Sequence, residues 1–314
     1  MTRDGTAGRP GSGARTPAIL VLGNANVDLV LGEVDGWPAI GTEVVVERAE
    51  TRAGGSAGNS ALALAGMDVP HRLIASTGSD PNGAWLRGAF DPASCDWIDG
   101  DGATTLTVGI VHKGGDRAFF TTPGHLDAAR AEDLIARLPD APPGPAFALL
   151  SGGFLMPGIR AGTAGLLEAL RARGWRTAID PGWPPEGWRA DTLRLMEGWM
   201  ARADITLVND AEAQAIAGKG ETAAAAELVA ARLAPDQVLV VKRGCEGACA
   251  LQDDRRFHAA APKVRVVDTV GAGDTFNAGF LAALAEGAET AAALIRGVRV
   301  ASRAISTAPR QYGR

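Results

Sequence analysis

The sequence has 314 residues, with 31 Lys and Arg against 36 Asp and Glu and a formal net charge of -5. A chain of this length can bury a sizeable core without a disulfide scaffold, and its acidic balance lacks the basic stripe on which nucleic-acid binding depends, so no nucleic-acid partner is expected. Its three cysteines lack the spacing of a zinc site and favour reduced thiols in a cytoplasmic protein.

The first part of the chain is rich in Gly, Arg, Thr and Pro. Residues 1–16 lack the apolar stretch that a signal peptide needs, so we expect a disordered N-terminal tail there and one folded domain over residues 17–314. No apolar run approaches the roughly 18 residues of a membrane span, and we therefore expect no membrane partner.

Six short apolar runs, most of them ending in small or polar residues, follow one another along the chain as buried parallel strands do. Helical patterns with apolar residues three and four apart lie between several of them, as in residues 162–174 and 221–233. This alternation predicts an α/β fold with a parallel-dominated central sheet flanked by helices on both faces, and ligands beyond the carboxyl ends of its strands. The six runs are AILVLG (18–23), HRLIAST (71–77), AFALLSG (146–152), RTAIDPG (176–182), ITLVND (205–210) and QVLVVKRG (237–244).

Two segments rich in Val and Thr interrupt this order, at residues 43–55 and 104–124. The second contains the sequence Gly114-Gly115-Asp116, which is typical of a hairpin turn. Because both segments are inserted among βα units, we expect a small β flap, or lid, over the ligand-binding edge, built from residues of about 37–53 and 104–122.

The stretch VDTVGAGDTFNAGFLAAL (267–284) joins a glycine-rich turn to an apolar helix. Gly271, Ala272 and Gly273 allow successive backbone N–H groups to point at one place, where the helix dipole adds positive potential, so the turn is a candidate phosphate cradle. Asp274 at its rim is a candidate general base for a hydroxyl group. Taken alone, this aspartate is better interpreted as an ordinary helix N-cap.

Two further pieces carry groups that suit a ligand site. RAGGSAGNSALALAG (52–66) has the glycine pair Gly54-Gly55 before a helix whose first turn carries Ser56 and Asn59, and GNANVDLV (23–30) places Asn26 and Asp28 after the first strand. A plain loop and an alanine-rich packing helix are the alternative interpretation of the glycine pair and its helix.

Together, and in their order along the chain, the three pieces resemble the ribokinase-like (PfkB) family of carbohydrate and nucleoside kinases. The resemblance extends from about Ala18 to about Thr307. The resemblance implies phosphorylation of a hydroxyl, commonly a primary one, on a small sugar-like substrate by ATP with Mg²⁺. It implies Asp274 as the base and residues 271–273 as the anion hole. The residues implied for the substrate are Asn26, Asp28, Gly54, Gly55, Ser56 and Asn59.

The nucleotide side is implied by two other matches. VNDAEA resembles an Asn-x-x-Glu motif in which Asn209 and Glu212 organise Mg²⁺ through water, although acids at a helix start are an equally good interpretation of Glu212. VKRGCEGA resembles the nucleotide-binding turn and places Lys242 and Gly244 near ATP. Asp268 matches an acid that in several members helps to bind a monovalent cation such as K⁺.

The flap residues bear on the choice of substrate. Ser56 stands where the ribose-specific members carry lysine, which argues against ribose itself. Arg48, Arg52, Lys113 and Arg117 could meet a phosphate on the substrate, but solvated flap charges are the preferred interpretation.

Several alternatives remain open at the level of the sequence. The acceptor can be a nucleoside instead of a sugar, the chain can be a non-catalytic nucleotide- or sugar-binding relative, and the flap can pair with a second copy in a homodimer. A Walker-type ATPase, a nicotinamide dehydrogenase and a His-dependent hydrolase are disfavoured because their motifs are missing.

Overall fold

The computed structural model describes residues 17–113, 117–218 and 220–313. Its strands are β1 (Ile19–Gly23), β2 (Asn26–Val34), β3 (Arg48–Gly54), β4 (His71–Thr77), β5 (Cys95–Asp99), β6 (Leu106–His112), β7 (Arg117–Thr121), β8 (Phe147–Ser151), β9 (Arg176–Asp180), β10 (Ile205–Asn209), β11 (Val238–Lys242), β12 (Ala248–Gln252) and β13 (Arg255–Ala259). Its α-helices are α1 (Ser56–Gly66), α2 (Pro81–Gly88), α3 (Gly124–Ala128), α4 (Ala131–Ile135), α5 (Pro157–Ala172), α6 (Ala190–Met200), α7 (Asp210–Ala217), α8 (Thr222–Ala230), α9 (Ala272–Ala285) and α10 (Thr290–Ile305). The predicted tail, residues 1–16, lies outside the described residues.

A nine-stranded sheet forms the centre, in the order β13-β12-β11-β10-β9-β8-β1-β4-β5, and its strands from β11 to β5 pair in parallel. Side chains alternate across a strand, so Ile19 and Val21 face one hydrophobic core while Leu20 and Leu22 face another. Helices α1, α9 and α10 supply the first core and α4 and α5 the second. Burial on both faces explains the continuous apolar runs, and the predicted α/β architecture is confirmed.

A second sheet of four strands has the order β3-β2-β6-β7. It corresponds to the expected flap, but its strand β2 was not predicted, because Asn26 and Asp28 were interpreted as residues that follow the first strand. Conversely, the Val-rich residues 43–46 form no strand, and β3 begins only at Arg48. Residues 114–116 of the expected hairpin turn lie outside the described residues, although β6 and β7 on either side pair antiparallel.

The parallel register brings the polar ends of the central strands into line. Gly23 at the end of β1 lies opposite Ser151, which in turn lies opposite Asp180, and Asn209 lies opposite Lys242. These residues end their strands at one edge of the sheet, where α/β folds bind ligands. Among the described residues, no helix is long and apolar enough to cross a membrane.

Candidate active site

The first turn of α9 begins at this edge. Gly271 is its N-cap, with the left-handed φ of 70°, and no side chain caps the helix. Asp274 lies inside the first turn, so its interpretation as the N-cap is wrong. Because a side-chain cap is missing, the backbone N–H groups and the dipole of this turn can serve an anion.

Asn59 on α1 holds the carboxylate of Asp274. Its Nδ2 donates to Asp274 Oδ2 at 2.9 Å, and Ser60 Oγ donates to the Asp274 backbone oxygen at 3.2 Å. A Cβ atom on Gly271 would approach Asn59 Nδ2 to 2.9 Å, so the glycine permits close approach of the two helix starts. Asn59, implied as a substrate ligand, therefore contacts the candidate base directly.

The Asp274 carboxyl has an unusual proton affinity. Burial and the nearby carboxylate of Asp180 raise its pKa to about 7, although the hydrogen bond from Asn59 and the charge of Lys242 act in the opposite direction. A base that titrates near neutral pH is well matched to removing a proton from a hydroxyl.

The substrate side of the site is formed where β2 meets β3 and α1. Asn26 Nδ2 donates to Asp28 Oδ1 at 2.7 Å and also to the Thr107 hydroxyl at 3.1 Å. Burial raises the pKa of Asp28 to about 6. The Asp28 carboxylate, held in place by the Asn26 amide, can accept hydrogen bonds that neighbouring sugar hydroxyls donate.

The glycine pair has a steric reason to be there. A Cβ on Gly54 would lie 2.0 Å from Asp28 Oδ2, and one on Gly55, whose φ is 80°, would lie 2.5 Å from the Asn24 backbone oxygen. Ser56 begins α1, and its backbone N–H donates to Asn24 Oδ1 at 3.1 Å. The pair thus lets β3 pass against the carboxylate of β2.

Asn209 and Glu212 form a reciprocal capping box at the start of α7. Asn209 Oδ1 accepts from the Glu212 N–H, and Glu212 Oε2 accepts from the Asn209 N–H, both at 2.8 Å. Glu212 is buried, and this burial together with Asp180 raises its pKa. The interpretation of Glu212 as a helix-start acid is confirmed; its role toward Mg²⁺ stays a prediction.

Lys242 is the centre of a buried ion pair. Its Nζ lies 2.6 Å from Asp180 Oδ2, and the same oxygen accepts from Asn277 Nδ2 at 2.5 Å. Burial lowers the pKa of Lys242, but the charges of Asp180 and Glu212 outweigh this effect. The pKa is therefore above its usual value, and the lysine stays charged. A Cβ on Gly273 would lie 3.4 Å from Lys242 Nζ, which places this cation beside the candidate anion hole.

Asp180 and Asn277 were absent from the predicted set. Asp180 is the last residue of the predicted strand RTAID. Asn277 follows Asp274 by three residues, so Asn277 and Asp274 lie on one face of α9. These two positions in the sequence could have marked Asp180 and Asn277 as candidates. Only the fold shows that both side chains contact Lys242.

A cavity of about 740 Å³ opens beside these groups. Its polar lining includes Asn209, Lys242 and Gly244, and the anion-hole residues Ala272 and Gly273 also border it. The rest is mainly apolar, from Val264, Val266, Phe276, Val298 and Ile305. Polar groups near a helix start and an apolar wall suit the phosphates and the base of a nucleotide. A second cavity of about 750 Å³ at the amino end of β1 contains none of the predicted residues.

Asp268 lies in the loop before α9 and is paired with arginines. Arg52 Nη1 lies 2.5 Å and Arg310 Nη2 3.1 Å from its Oδ2, and the Val270 N–H donates to Oδ1 at 2.9 Å. Burial raises the pKa of Asp268, but these contacts outweigh it and lower the pKa to about 2. Arg52 is only 16% exposed, so its interpretation as a solvated flap charge is wrong.

Magnesium fits the oxygen-rich surroundings of the phosphate cradle. Within the described residues no group of three His, Cys, Asp or Glu side chains could hold a metal alone. Mg²⁺ in kinases is commonly held by one or two carboxylates together with substrate phosphates, and here the charge of Asp180 acts on the carboxylates of both Glu212 and Asp274. These oxygens are hard donors, as Mg²⁺ requires.

Comparison with known proteins identifies the family. The model of the pfkB family carbohydrate kinases matches residues 16–311. The chain belongs to this family. It is 28% identical over 274 residues to a fructokinase of Salmonella typhimurium, covering 85% of this chain and 84% of the relative. It is 29% identical over 271 residues to an ATP-dependent ribose-1-phosphate kinase of Halopiger xanaduensis, covering 84% and 83%.

A solved structure gives the same result for the fold of this pfkB family member. Arabidopsis thaliana ribokinase complexed with ribose and ATP superposes with a TM-score of 0.72 at 20% identity, covering 93% of each chain. The ribokinase-like fold is therefore confirmed. The protein is a phosphotransferase that acts on an alcohol group, in a kinase family that uses ATP.

Proposed function

We propose that this pfkB family member transfers the γ-phosphoryl group of ATP to a hydroxyl, commonly the primary one, of a small sugar or sugar-like substrate. One observation carries the proposal: Asp274, whose pKa is raised to about 7, stands at an uncapped helix start between the nucleotide-sized cavity and the polar groups of the flap. Base and anion hole are thus neighbours, as in-line transfer to a hydroxyl requires.

The proton route follows from the contacts of Asp274. Asn59 binds Oδ2, so Oδ1 is the oxygen that we assign to the acceptor hydroxyl. As the oxygen–phosphorus bond forms, the hydroxyl proton passes to Asp274, and ADP leaves with the electrons of the broken bond.

Backbone N–H dipoles at the start of α9 and the cation of Lys242 stabilise the negative charge on the transferred phosphoryl group. The N–H groups of Gly271 and Gly273 at the uncapped start of α9 are the donors that we assign to the phosphate, whereas the Ala272 N–H donates to the Thr269 oxygen at 3.2 Å. Lys242 lies beside Gly273. When bound, Mg²⁺ neutralises phosphate charge, and Glu212 and Asn209 are the residues we expect to hold it through water.

The polar lining under the flap favours a sugar over a nucleoside. Asp28, Asn26 and Asn24 form a chain of side-chain hydrogen bonds there, from Asn24 Nδ2 to Asn26 Oδ1 at 3.2 Å and from Asn26 to Asp28. A nucleobase needs an apolar or aromatic wall. We therefore expect the acceptor to present several neighbouring hydroxyls to this chain.

An ADP-release screen tests the function. Purified protein with ATP and Mg²⁺ is offered pentoses, hexoses, keto-deoxy sugar acids, sugar phosphates and nucleosides. ADP release that depends on a sugar or sugar acid is the expected result. ADP release that depends on a nucleoside would show that the acceptor is a nucleoside and not a sugar. Nucleotide binding without ADP release for any acceptor would instead support a non-catalytic binding relative.

A further inference from the structure

Arg310 makes an unusual pair of contacts just before the anion hole. Its Nη2 donates to the backbone oxygen of Val270 at 2.5 Å and to Asp268 Oδ2 at 3.1 Å. The side chain is 17% exposed, although it belongs to the chain that follows the last described helix, α10. A single guanidinium thus bridges a carboxylate and a carbonyl in the loop that leads directly to Gly271.

The rest of this loop is held from its other side. The N–H groups of Val267 and Asp268 both donate to the Ile305 oxygen at the end of α10, at 2.7 and 3.1 Å. The Val270 N–H donates back to Asp268 Oδ1. The loop donors are therefore directed inward or toward α10, and its two strong acceptors are directed at Arg310.

A carboxylate oxygen beside a backbone carbonyl oxygen is a donor pair that a hard monovalent cation accepts. Here Arg310 lies across both oxygens, and Arg52 takes the same Asp268 oxygen at 2.5 Å. One negative charge thus already faces three guanidinium groups, since Arg48 Nη2 also lies 3.7 Å from Asp268 Oδ2. These residues do not fit an additional K⁺ ion, because its charge would be repelled without a free anionic ligand.

We propose that Arg310 is a built-in cation: it fixes the Val270 carbonyl and Asp268, keeps residues 271–273 in their phosphate-binding conformation, and makes the enzyme independent of K⁺. This inference replaces the expected K⁺ site at Asp268 and rests on the proposed kinase function. Arg310 is a positioning residue in this account, since it acts through the loop.

The first test needs no substrate. Thermal unfolding of the wild type and of Arg310→Ala is compared in KCl, NaCl and tetramethylammonium chloride at equal ionic strength. We expect the wild-type midpoint to be the same in all three salts. Arg310→Ala frees the Val270 oxygen and removes one of the guanidinium groups at Asp268 Oδ2, although Arg52 still pairs with that oxygen. With one positive charge less at this place, the variant should be stabilised by K⁺ relative to tetramethylammonium. Arg296→Ala is the matched control, because it removes an arginine of α10 that pairs with Glu286 on the surface, away from the loop.

The second test uses ADP release with the acceptor found in the screen. The wild-type rate should differ by less than about twofold between K⁺ and tetramethylammonium, whereas Arg310→Ala should lose about tenfold or more in tetramethylammonium and recover partly in K⁺. Arg310→Lys keeps a cation and serves if the alanine variant does not fold; it should remain insensitive to K⁺.

Some outcomes overturn the inference. They are several-fold activation or clear stabilisation of the wild type by K⁺, an Arg310→Ala variant that behaves as the wild type in every salt, and a lysine variant that K⁺ activates. Failure of the proposed kinase function is distinguishable, since it abolishes ADP release with every acceptor while the unfolding comparison still decides the role of Arg310.

Discussion

Asp274 is the residue whose environment matters most to the chemistry. Its pKa is raised to about 7, first by burial and then by Asp180. The carboxylate must be ionised to accept a proton, so activity should be present above this pKa and decline as pH falls through it. We predict that kcat/KM falls by about tenfold per pH unit below pH about 7.

A pH-rate profile with a confirmed acceptor measures this. Asp28, whose pKa is raised to about 6, adds a further loss at lower pH through weaker substrate binding. A kcat/KM value that stayed constant from pH 8 down to about 5 would contradict a base with this pKa.

The same shift has a consequence for stability. A carboxyl whose pKa is higher in the folded than in the unfolded state holds its proton more tightly when folded, so it destabilises the fold as pH rises from about 4 to about 7. Asp274→Asn removes this penalty and should raise the free energy of unfolding by about 1–2 kcal/mol at pH 8, with no gain near pH 4. Urea unfolding at both pH values measures it, and equal loss of stability at both would refute the assignment.

At the scale of elements, strand ends and glycine-rich helix starts were readable from the sequence, because they depend on local patterns. The six apolar runs became β1, β4, β8, β9, β10 and β11, and the helix predicted after the glycine-rich turn is α9, which begins already at Ala272. Strand β2 was not predicted, because its polar residues Asn26 and Asp28 are typical of a loop. The contacts of Lys242 with Asp180 and of Arg310 with Asp268 join residues far apart in sequence, and no local pattern encodes such a pairing.

The antiparallel pairing of β2 and β3 yields a prediction for Gly54. Alanine there would place a Cβ 2.0 Å from Asp28 Oδ2, and Asp28 is too buried to move freely. We expect the KM for the acceptor to rise by about tenfold or more while the KM for ATP changes little.

Gly88→Ala is the matched control, because a Cβ at Gly88 meets nothing within 4 Å. Initial-rate kinetics of both variants, with each substrate varied in turn, distinguish the two effects. An unchanged acceptor KM in Gly54→Ala would show that Asp28 does not hold the acceptor.

At the scale of the whole molecule, the flap is joined to the central domain at the site itself. Arg52 on β3 pairs with Asp268 before α9, and Asn59 just beyond β3 binds Asp274. The flap and the helix that carries the base are therefore joined by direct side-chain contacts. The flap also carries exposed aromatic side chains, namely Trp37 at 59%, Phe119 at 52% and Phe120 at 56% exposure.

We propose that the face of the flap that carries Trp37 and Phe120, whose rings are in edge contact, pairs with a second copy of the chain. Phe119, the neighbouring residue of β7, points to the other face. The face with Trp37 and Phe120 lies on and beside β7, an edge strand of the small sheet, and exposed apolar edges are typical of association surfaces. Light scattering at micromolar concentration should show a dimer for the wild type and for Trp85→Glu, an exposed aromatic of the central domain, but a monomer for Phe120→Glu. A monomeric wild type would contradict the proposal.

The most direct test of the whole account compares transfer and binding in Asp274→Asn. The variant should fold, bind ATP in calorimetry as the wild type does, and lose about 10²–10⁴-fold in acceptor-dependent ADP release, because only the proton acceptor has been removed. Asp191→Asn, which changes an exposed carboxylate in the first turn of α6, should leave the rate unchanged. Wild-type turnover by Asp274→Asn on a confirmed acceptor would contradict the central claim that this carboxylate is the base.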